Sequence, residues 1–334
     1  MVELVYPENG AIVDIETPIQ KEFIKRIKEE KISEALVWLK SKKDGNDMSS
    51  PERAVFRWSG DGRVEYLFEI AENPEFSDAY SIKTSDPCCD LYNLKTGTRY
   101  YWRVNGSDYR EIYTEECDFR FIRLGGRLIN VRDVGGINIK EGLVYRGCEI
   151  NHEYRLTEEG KAIFKDQLGI RTEINLRKET SEISDGKCIV DGVGYMYLPY
   201  RPYAEVFLEE HRCGLKNIMD VFADEENYPI YFHCYGGADR TGMIALYLRA
   251  LCGESDEDIF IDYELTSLSS YTKGEKEGVT GFGFRSHEAE YFENFLKLYS
   301  EYDGKNLAER TESFILSCGV EKETIDRIRR ILKR

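Results

Sequence analysis

The sequence is poor in the residues that build metal sites and has no stretch that would build a membrane span. Its four histidines are scattered over 334 residues, and its nine cysteines lack the paired spacing of zinc sites. No apolar run approaches the roughly 18 residues that a transmembrane helix needs. We therefore expect no metal, no cofactor and no membrane span. Free thiols favour a reducing compartment, so we predict a cytoplasmic protein.

Basic residues are also in deficit. The chain has 46 lysines and arginines against 62 aspartates and glutamates, which gives a net charge of −16. Nucleic acid and anionic membrane surfaces would repel such a chain unless it carried a strong basic patch. We expect neither as a main partner, and any site for an anion has to be local.

The first third of the chain has the pattern of a β-sandwich. Short strands are predicted at 4–6, 54–58, 64–71, 79–84, 99–104 and 117–122, separated by Gly, Asn, Asp and Pro. A helical pattern at 18–40 interrupts the first two strands. We predict a domain at 1–123 with a helical insertion. Its simplest role is that of a packing or spacer module, and the alternative is that it binds a sugar or docks a protein partner.

The remainder of the chain alternates helical patterns with strands near residues 170, 195 and 230. This alternation predicts an α/β domain at 124–334 with a central, mostly parallel sheet. Functional sites of such sheets lie at the carboxyl ends of the strands. The fold class predicted for the whole chain is therefore α/β, with the α/β domain preceded by a β-sandwich domain.

The segment 229–251 predicts a buried strand, a glycine loop and a buried helix. A loop that enters a helix presents free backbone N–H groups at the positive end of the helix dipole, and phosphate is the obvious ligand. Gly236 and Gly237 allow the loop to turn its amides inward. Arg240 would bind two phosphate oxygens with its guanidinium fork.

Cys234 lies in the same field, where we expect its thiol to act as a thiolate nucleophile. The thiolate would attack phosphorus to form a cysteinyl-phosphate, which water then hydrolyses. Thr241 would donate its hydroxyl to the sulfur. Proton transfer to the leaving oxygen and from water needs a carboxyl group. Asp239 is the first candidate, and Glu205, which follows a junction without aspartate, is the second.

The spacing of Cys234 and Arg240 is by itself a weak signal, because Cys117 and Arg123 share it. The earlier copy has no glycine and alternates polar with aromatic residues, so we interpret it as a strand without a catalytic role. The later copy has glycines, a threonine after the arginine, and a strand and a helix on its two sides. This context favours a functional loop over a buried structural cysteine.

The segment from His233 to Gly242 resembles the loop of the cysteine-dependent protein tyrosine phosphatases, in particular a bacterial branch with an aspartate before the arginine. Three further matches are the segments 130–136, 143–147 and 175–177, the last followed by Glu179. Segment 94–104 is similar to the closing strand of fibronectin type III-like domains, with a tyrosine corner at Tyr100. The phosphatase likeness covers about residues 123–334.

The resemblance implies a dual- or triple-specificity phosphatase that acts on phosphotyrosine and on phosphoserine or phosphothreonine. Cys234, Arg240, Asp239 and Thr241 would be catalytic. Phosphate would be bound by the loop residues Tyr235, Gly236, Gly237 and Ala238, with Arg132 and Arg201 outside the loop. Arg132 is equally interpretable as a structural ion-pair partner.

Substrate choice is left between three functions. Members of the family that accept phosphoinositides usually carry lysine where this chain has Ala238, which disfavours polyphosphorylated lipids. An enzyme for inositol phosphates or another small phosphoester remains the first alternative to a protein phosphatase. A phosphate-binding scaffold with weak catalysis is the second.

Overall fold

The computed structural model describes residues 2–42, 47–60, 64–177, 186–269 and 285–334. The chain divides into two compact units. The first consists of Met1–Pro18 and Pro51–Arg123, and the second of Ile19–Ser50 and Leu124–Arg334. Within the described ranges, every helix is too short or too polar to cross a lipid bilayer.

The helical segment that the sequence predicts as an insertion into 1–123 groups with the second unit. It forms α1 (Pro18–Glu29) and α2 (Ile32–Lys42). The segment that follows α2 is bonded into the second unit, because Met48 N–H donates to the carbonyl of Leu268 and Ser49 Oγ accepts from Asn130 N–H. Hydrogen bonds between residues so distant in the sequence leave no trace in the local sequence pattern, so the unit to which these helices belong could not be predicted.

The first unit contains two β-sheets. The strands are β1 (Leu4–Tyr6), β2 (Ala11–Val13), β3 (Ala54–Trp58), β4 (Tyr66–Ala71), β5 (Tyr80–Thr84), β6 (Cys88–Leu91), β7 (Arg99–Val104) and β8 (Arg110–Thr114). One sheet has the order β1-β3-β6 and the other the order β2-β8-β7-β4-β5. All neighbours are antiparallel except β2 and β8.

Alternate residues of these strands form one aromatic core. The ring of Phe56, on β3, lies 4.9 Å from the ring of Phe68 and 5.1 Å from that of Trp102, both on the other sheet. All three side chains are fully buried. Aromatic pairs at these separations stabilise a core beyond the area that they bury. The inward-facing positions of the two sheets therefore pack against each other.

The strand predicted at 117–122 is wrong. The last strand of the unit is β8, and the segment that follows it is irregular, although Phe119 and Phe121 are buried. Its backbone is tied by side chains: Arg120 donates to the carbonyls of Asn93 and Leu94. Alternating aromatic residues indicated burial correctly, but burial does not require a strand.

The second unit contains one five-stranded sheet. Its strands are β9 (Arg132–Asp133), β10 (Val144–Gly147), β11 (Thr172–Asn175), β12 (Gly194–Tyr197) and β13 (Ile230–His233), in the order β12-β11-β13-β10-β9. Strands β10 to β13 are parallel to their neighbours, and β9 is antiparallel to β10. The mostly parallel sheet predicted for this region is confirmed.

Seven further helices belong to the described part of this unit. They are α3 (Glu158–Ala162), α4 (Glu209–Phe222), α5 (Asp239–Cys252), α6 (Asp256–Glu264), α7 (Glu290–Tyr299), α8 (Leu307–Ser317) and α9 (Lys322–Leu332). Helix α3 continues into one π-helical turn, and a 3₁₀ turn at Tyr203–Phe207 precedes α4. From Thr241 to Cys252 every residue of α5 is buried, so this helix is the centre of the unit's core.

Candidate active site

The loop after β13 lies at the carboxyl end of the parallel strands. Cys234 directly follows β13, and α5 begins at Asp239, so residues 235–238 form the connection. The predicted strand, glycine loop and helix are confirmed. Open parallel sheets bind their ligands at this edge.

Six consecutive carbonyl oxygens of this segment each accept a hydrogen bond. Those of His233, Cys234, Tyr235, Gly236, Gly237 and Ala238 accept, in that order, from Leu176 N (2.8 Å), His233 Nδ1 (2.9 Å), Glu149 N (2.9 Å), Asn130 Nδ2 (3.0 Å), Arg146 Nη2 (2.8 Å) and Gly242 N (2.8 Å). In a trans peptide group the N–H points opposite to the C=O. The carbonyls are therefore anchored in the protein, and the loop amides are turned toward the other side, as in an anion-binding concavity.

Gly237 is the position in the loop where only glycine fits. Its φ is +69°, and a Cβ there would lie 2.4 Å from the carbonyl carbon of Gly147 and 2.5 Å from its oxygen. A side chain would therefore meet backbone, which cannot move aside as a flexible side chain can. The close approach of Gly237 to the end of β10 sets the curvature of the loop.

Cys234 and Arg240 differ in exposure. Only 3% of Cys234 is exposed, whereas Arg240, in the first turn of α5, is partly exposed. Among the residues that the structure describes, Arg240 has no hydrogen-bond or ion-pair partner. A guanidinium group without a protein partner, one turn from an anion-binding loop, is available to a phosphate group.

Thr241 differs from the prediction. Its side chain is fully buried, and its Oγ1 makes no hydrogen bond within the described part of the chain. The expected hydrogen bond from Thr241 to the Cys234 sulfur is therefore not formed in this structure. The hydroxyl remains a buried donor next to the loop.

A buried pair of ionisable groups supports the backbone of Cys234. His233 Nδ1 donates to the Cys234 carbonyl at 2.9 Å, and His233 Nε2 lies 2.8 Å from Glu173 Oε1. Because a carbonyl only accepts, the Nδ1 atom carries a proton, and Nε2 and Glu173 share a second one. Sequence analysis missed Glu173, although a glutamate in the middle of a predicted strand was a usable signal.

Asp239 is bound by two residues that sequence analysis did not connect with it. Tyr203 Oη donates to Asp239 Oδ1 at 2.6 Å, and Arg285 Nη2 donates to Asp239 Oδ2 at 3.0 Å. Arg285 Nε lies 2.9 Å from Oδ1, so the ion pair is bidentate. Although burial opposes a charge at Arg285, the Asp239 carboxylate raises the pKa of this arginine.

Comparison with known proteins identifies the second unit. The model of the "Tyrosine phosphatase family" matches residues 126–334. The chain belongs to the tyrosine phosphatase family. Its reaction class is phosphoric monoester hydrolysis.

Two solved structures are similar to part of this phosphatase. They are the core catalytic domain of the PP-IP phosphatase SIW14 from S. cerevisiae in complex with citrate, and the Siw14 catalytic core. Each is 19% identical with a TM-score of 0.31 and covers 39% of this chain, and the match spans 76% and 75% of the two structures. A search of curated proteins gave no match.

In this phosphatase Arg132 is an ion-pair partner. Binding of substrate would require Arg132 to lie at the mouth of the site, and it does not lie there. It is fully buried, with Nε 3.3 Å from Asp262 Oδ1 and Nη2 bonded to the Asp262 carbonyl at 2.9 Å. Arg146 Nη1 lies 2.5 Å from Asp262 Oδ2, and Arg249 Nε lies 4.0 Å from Oδ1. Burial alone would raise the pKa of the Asp262 carboxyl, and the three arginines lower it below its usual range.

Arg201 and Glu205 form a separate, solvent-exposed ion pair. Arg201 Nη1 lies 3.4 Å from Glu205 Oε2, and about half of the Glu205 side chain is exposed. Arg177 is bound by Glu149, Asn151 and Asn175, so its positive charge is paired within the protein. Glu179, part of the matched segment, lies outside the described residues.

One group of potential metal ligands occurs among the described residues. The ligand atoms of Glu16, Glu115 and Cys117, in the first unit, lie within 4.8 Å of one another. Glu115 Oε1 already accepts from the backbone N–H groups of Ile15 and Glu16. This carboxylate holds a turn, and we assign no metal to the group.

Proposed function

We propose that this phosphatase hydrolyses phosphomonoesters through a cysteinyl-phosphate on Cys234. The observation that carries the proposal is the loop of six carbonyls bonded to the protein, which leaves its amides for a ligand, next to the guanidinium of Arg240, which has no partner among the described residues. Amides and guanidinium together would hold three non-bridging oxygens of a phosphate group. The phosphorus would then lie within reach of the Cys234 sulfur.

The reaction has two displacements at phosphorus. In the first, the Cys234 thiolate forms an S–P bond as the ester P–O bond breaks, and the leaving oxygen takes a proton from a carboxylic acid. In the second, water attacks phosphorus, the S–P bond breaks, and the carboxylate takes the proton from water. The products are an alcohol or phenol, inorganic phosphate and the restored thiolate. Asp239 is our candidate for the carboxyl group, and Glu205 is the alternative.

Phosphotyrosine is the substrate that we propose first, with phosphoserine and phosphothreonine as further protein substrates. The loop side chain Tyr235 is partly exposed and lies edge to face with Tyr154, their ring centroids 5.7 Å apart. Such rings provide a surface for a phenyl group. Ala238 leaves Arg240 as the single basic side chain between Cys234 and the body of α5.

Inositol phosphates and other small phosphoesters are the second candidate substrates. Two arginines outside the loop favour them: Arg201, partly exposed beside Glu205, and Arg285, bound to Asp239. Either would meet a second phosphate group if its present partner released it. Weak catalysis by a phosphate-binding scaffold is the third candidate.

We propose that the first unit is a fibronectin type III-like sandwich domain and that the catalytic domain begins at residue 124, with the helices inserted in the sequence at 19–50 grouped with the catalytic domain. Sheets of three and five strands support the first assignment. Tyr100 Oη accepts from Lys95 N–H at 2.9 Å, a bond to backbone five residues upstream that is typical of a tyrosine corner. A role in docking a protein partner, and a cytoplasmic location, also remain proposals.

The test is a substrate panel of phosphopeptides, inositol phosphates and phosphoinositides, assayed with and without chelator. We expect turnover of phosphotyrosine peptides that survives chelator and is blocked by vanadate. Cys234→Ser should abolish turnover while still binding phosphate, because the loop amides and Arg240 remain. Denaturing the enzyme during turnover should trap phosphate on Cys234. Trapped phosphate on another residue, or full activity of Cys234→Ser, would refute the covalent mechanism.

A further inference from the structure

The side chain of Asp239 is bound by residues from two distant parts of the second unit. Tyr203 lies 36 positions before it in the sequence and Arg285 46 positions after it. Together they supply three contacts of 2.6, 2.9 and 3.0 Å to the two carboxylate oxygens. We call Tyr203 and Arg285 the Asp239 clasp.

Arg285 is fixed to the protein independently of Asp239. Its N–H donates to Ser267 Oγ at 2.9 Å, and its carbonyl accepts from the same hydroxyl at 3.2 Å. Ser267 is fully buried. The ion pair with Asp239 is therefore made by an arginine whose backbone is anchored, so less conformational entropy is lost in forming the pair than between two unanchored surface residues.

Tyr203 is held in a backbone conformation that tyrosine rarely adopts. Its φ is +56°, in the left-handed region, which costs an L-residue about 1–2 kcal/mol. Its ring packs on that of Tyr291 at 4.8 Å, and its hydroxyl lies 2.5 Å from that of Tyr263. Such strain persists only where surrounding contacts compensate for it, and it is concentrated at functional sites. The hydroxyl of Tyr203 is thereby aimed at Asp239.

The clasp presents one positive charge and one hydroxyl donor to the carboxylate. Arg285 supplies a positive charge, and the hydroxyl of Tyr203 donates a proton to the hydrogen bond. The hydroxyls of Tyr263 and Tyr291 continue the chain of hydrogen bonds. Burial raises the pKa of Tyr203 and of Tyr263, so both remain neutral donors over the working pH range.

We propose that Tyr203 and Arg285 are positioning residues that hold the Asp239 carboxyl group where it can exchange protons with the leaving oxygen and with water. The inference rests on the proposed function. Both displacements depend on the orientation of this side chain, because the first takes a proton from Asp239 and the second returns one to it.

Alkyl and aryl esters should therefore respond differently to the clasp. A phenol, with a pKa of about 10, leaves phosphorus more easily without a proton than an alcohol does. Hydrolysis of an alkyl phosphate should therefore depend on a correctly placed Asp239 carboxyl group. Hydrolysis of an aryl phosphate should depend on it much less.

The experiment compares kcat and KM for an alkyl and an aryl phosphate, measured for the whole chain. Arg285→Gln should lower kcat for the alkyl ester about tenfold or more and for the aryl ester much less, since proton transfer by a positioned group contributes about 10²–10⁴-fold. Arg285→Lys should retain most of the alkyl activity, and Tyr203→Phe should cause a smaller loss in the same direction. The control is Arg330→Gln, the same change in an exposed pair with Glu323, and it should leave both rates near those of the wild type.

Double variants separate positioning from general damage. In an Asp239→Asn background, Arg285→Gln should cause no further loss of alkyl turnover, because the group that the clasp positions is gone. Equal losses for the alkyl and the aryl ester in both Arg285→Gln and Tyr203→Phe overturn the clasp alone. So does a selective loss of alkyl turnover in Glu205→Gln that Asp239→Asn does not show. Absence of turnover by the wild-type enzyme overturns the clasp together with the proposed function.

Discussion

Replacing Asp262 by asparagine tests whether the cluster of buried arginines is held together by this single carboxylate. Asp262 is 2% exposed and forms ion pairs with Arg132, Arg146 and Arg249, all of which are buried. Asparagine keeps the shape and the backbone acceptor but removes the charge, so each of the three buried guanidinium groups loses this ion-pair partner. Breaking a buried pair by removing one partner costs about 3–5 kcal/mol.

The loss should extend to the phosphate loop. Arg146 Nη2 donates to the carbonyl of Gly237 at 2.8 Å, and Nη1 of the same guanidinium binds Asp262. When the carboxylate is absent, the guanidinium loses the contact that orients it. Affinity for phosphate and vanadate should therefore fall together with stability.

Urea unfolding measures the effect, with the midpoint compared at a constant m-value. The matched control is Asp220→Asn, the same change in an exposed pair with Lys216 on α4, where the carboxylate is about 41% exposed and the N–O distance is 2.6 Å. An exposed pair contributes about 0–1 kcal/mol. If Asp262→Asn destabilises the protein no more than Asp220→Asn does, the cluster is not held by this charge.

The lowered pKa of Asp262 also predicts how the stability of the wild type and of this variant changes with pH. The pKa of Asp262 is lowered in the folded protein, so its contribution is complete above the unfolded value of about 3.9 and is lost as the pH falls. Wild-type stability should therefore decrease on acidification more steeply than that of Asp262→Asn. Equal acid sensitivity of the two proteins would contradict the lowered pKa.

Two further predictions concern the loop and the partly buried pair of His287 and Glu264. Gly237→Ala adds a Cβ 2.4 Å from the carbonyl carbon of Gly147 and should lose phosphate binding, whereas Gly169→Ala, with φ of +63° and open space around it, should show only the backbone strain of about 1–2 kcal/mol. Similar unfolding midpoints and phosphate affinities for the two variants would contradict the close approach. Burial alone would lower the pKa of His287, but the Glu264 carboxylate raises it, so their pair should stabilise the fold fully below about pH 6.5 and lose that contribution as the pH rises. Urea titrations across this range should show the loss in wild type and not in His287→Gln, and parallel curves would refute it.

Part of the second unit could be predicted because its signals are local. The segment from Ile230 to Cys252 is one continuous stretch in which an apolar run, two glycines and a second apolar run follow one another. Strand and helix periodicity and the freedom of glycine are properties of neighbouring residues, so they can be inferred without an alignment. The resemblance to the tyrosine phosphatase family rested on this same stretch, and the family assignment is confirmed.

Other predictions failed where the same local pattern allows two structures. Alternating aromatic residues at 117–122 indicated a strand, whereas the chain there is irregular and held by the Arg120 side chain. The pattern at 18–40 correctly predicted helices, but it did not indicate to which unit they belong. The segment that follows these helices is joined to the second unit by hydrogen bonds to Leu268 and Asn130. Periodicity indicates which side of a segment is buried and does not indicate against what.

The amino-acid sequence by itself determined that a cysteine, two glycines and an arginine occupy one turn between a buried strand and a buried helix. Only the tertiary structure decided which partners these residues have. Glu173 contacts the ring of His233, and Asp262 forms ion pairs with three arginines. Arg285 binds Asp239 although it lies 46 positions away in the sequence. The physical reason is that an ion pair depends on distance in space and on burial, and neither is set by the separation of the residues along the sequence.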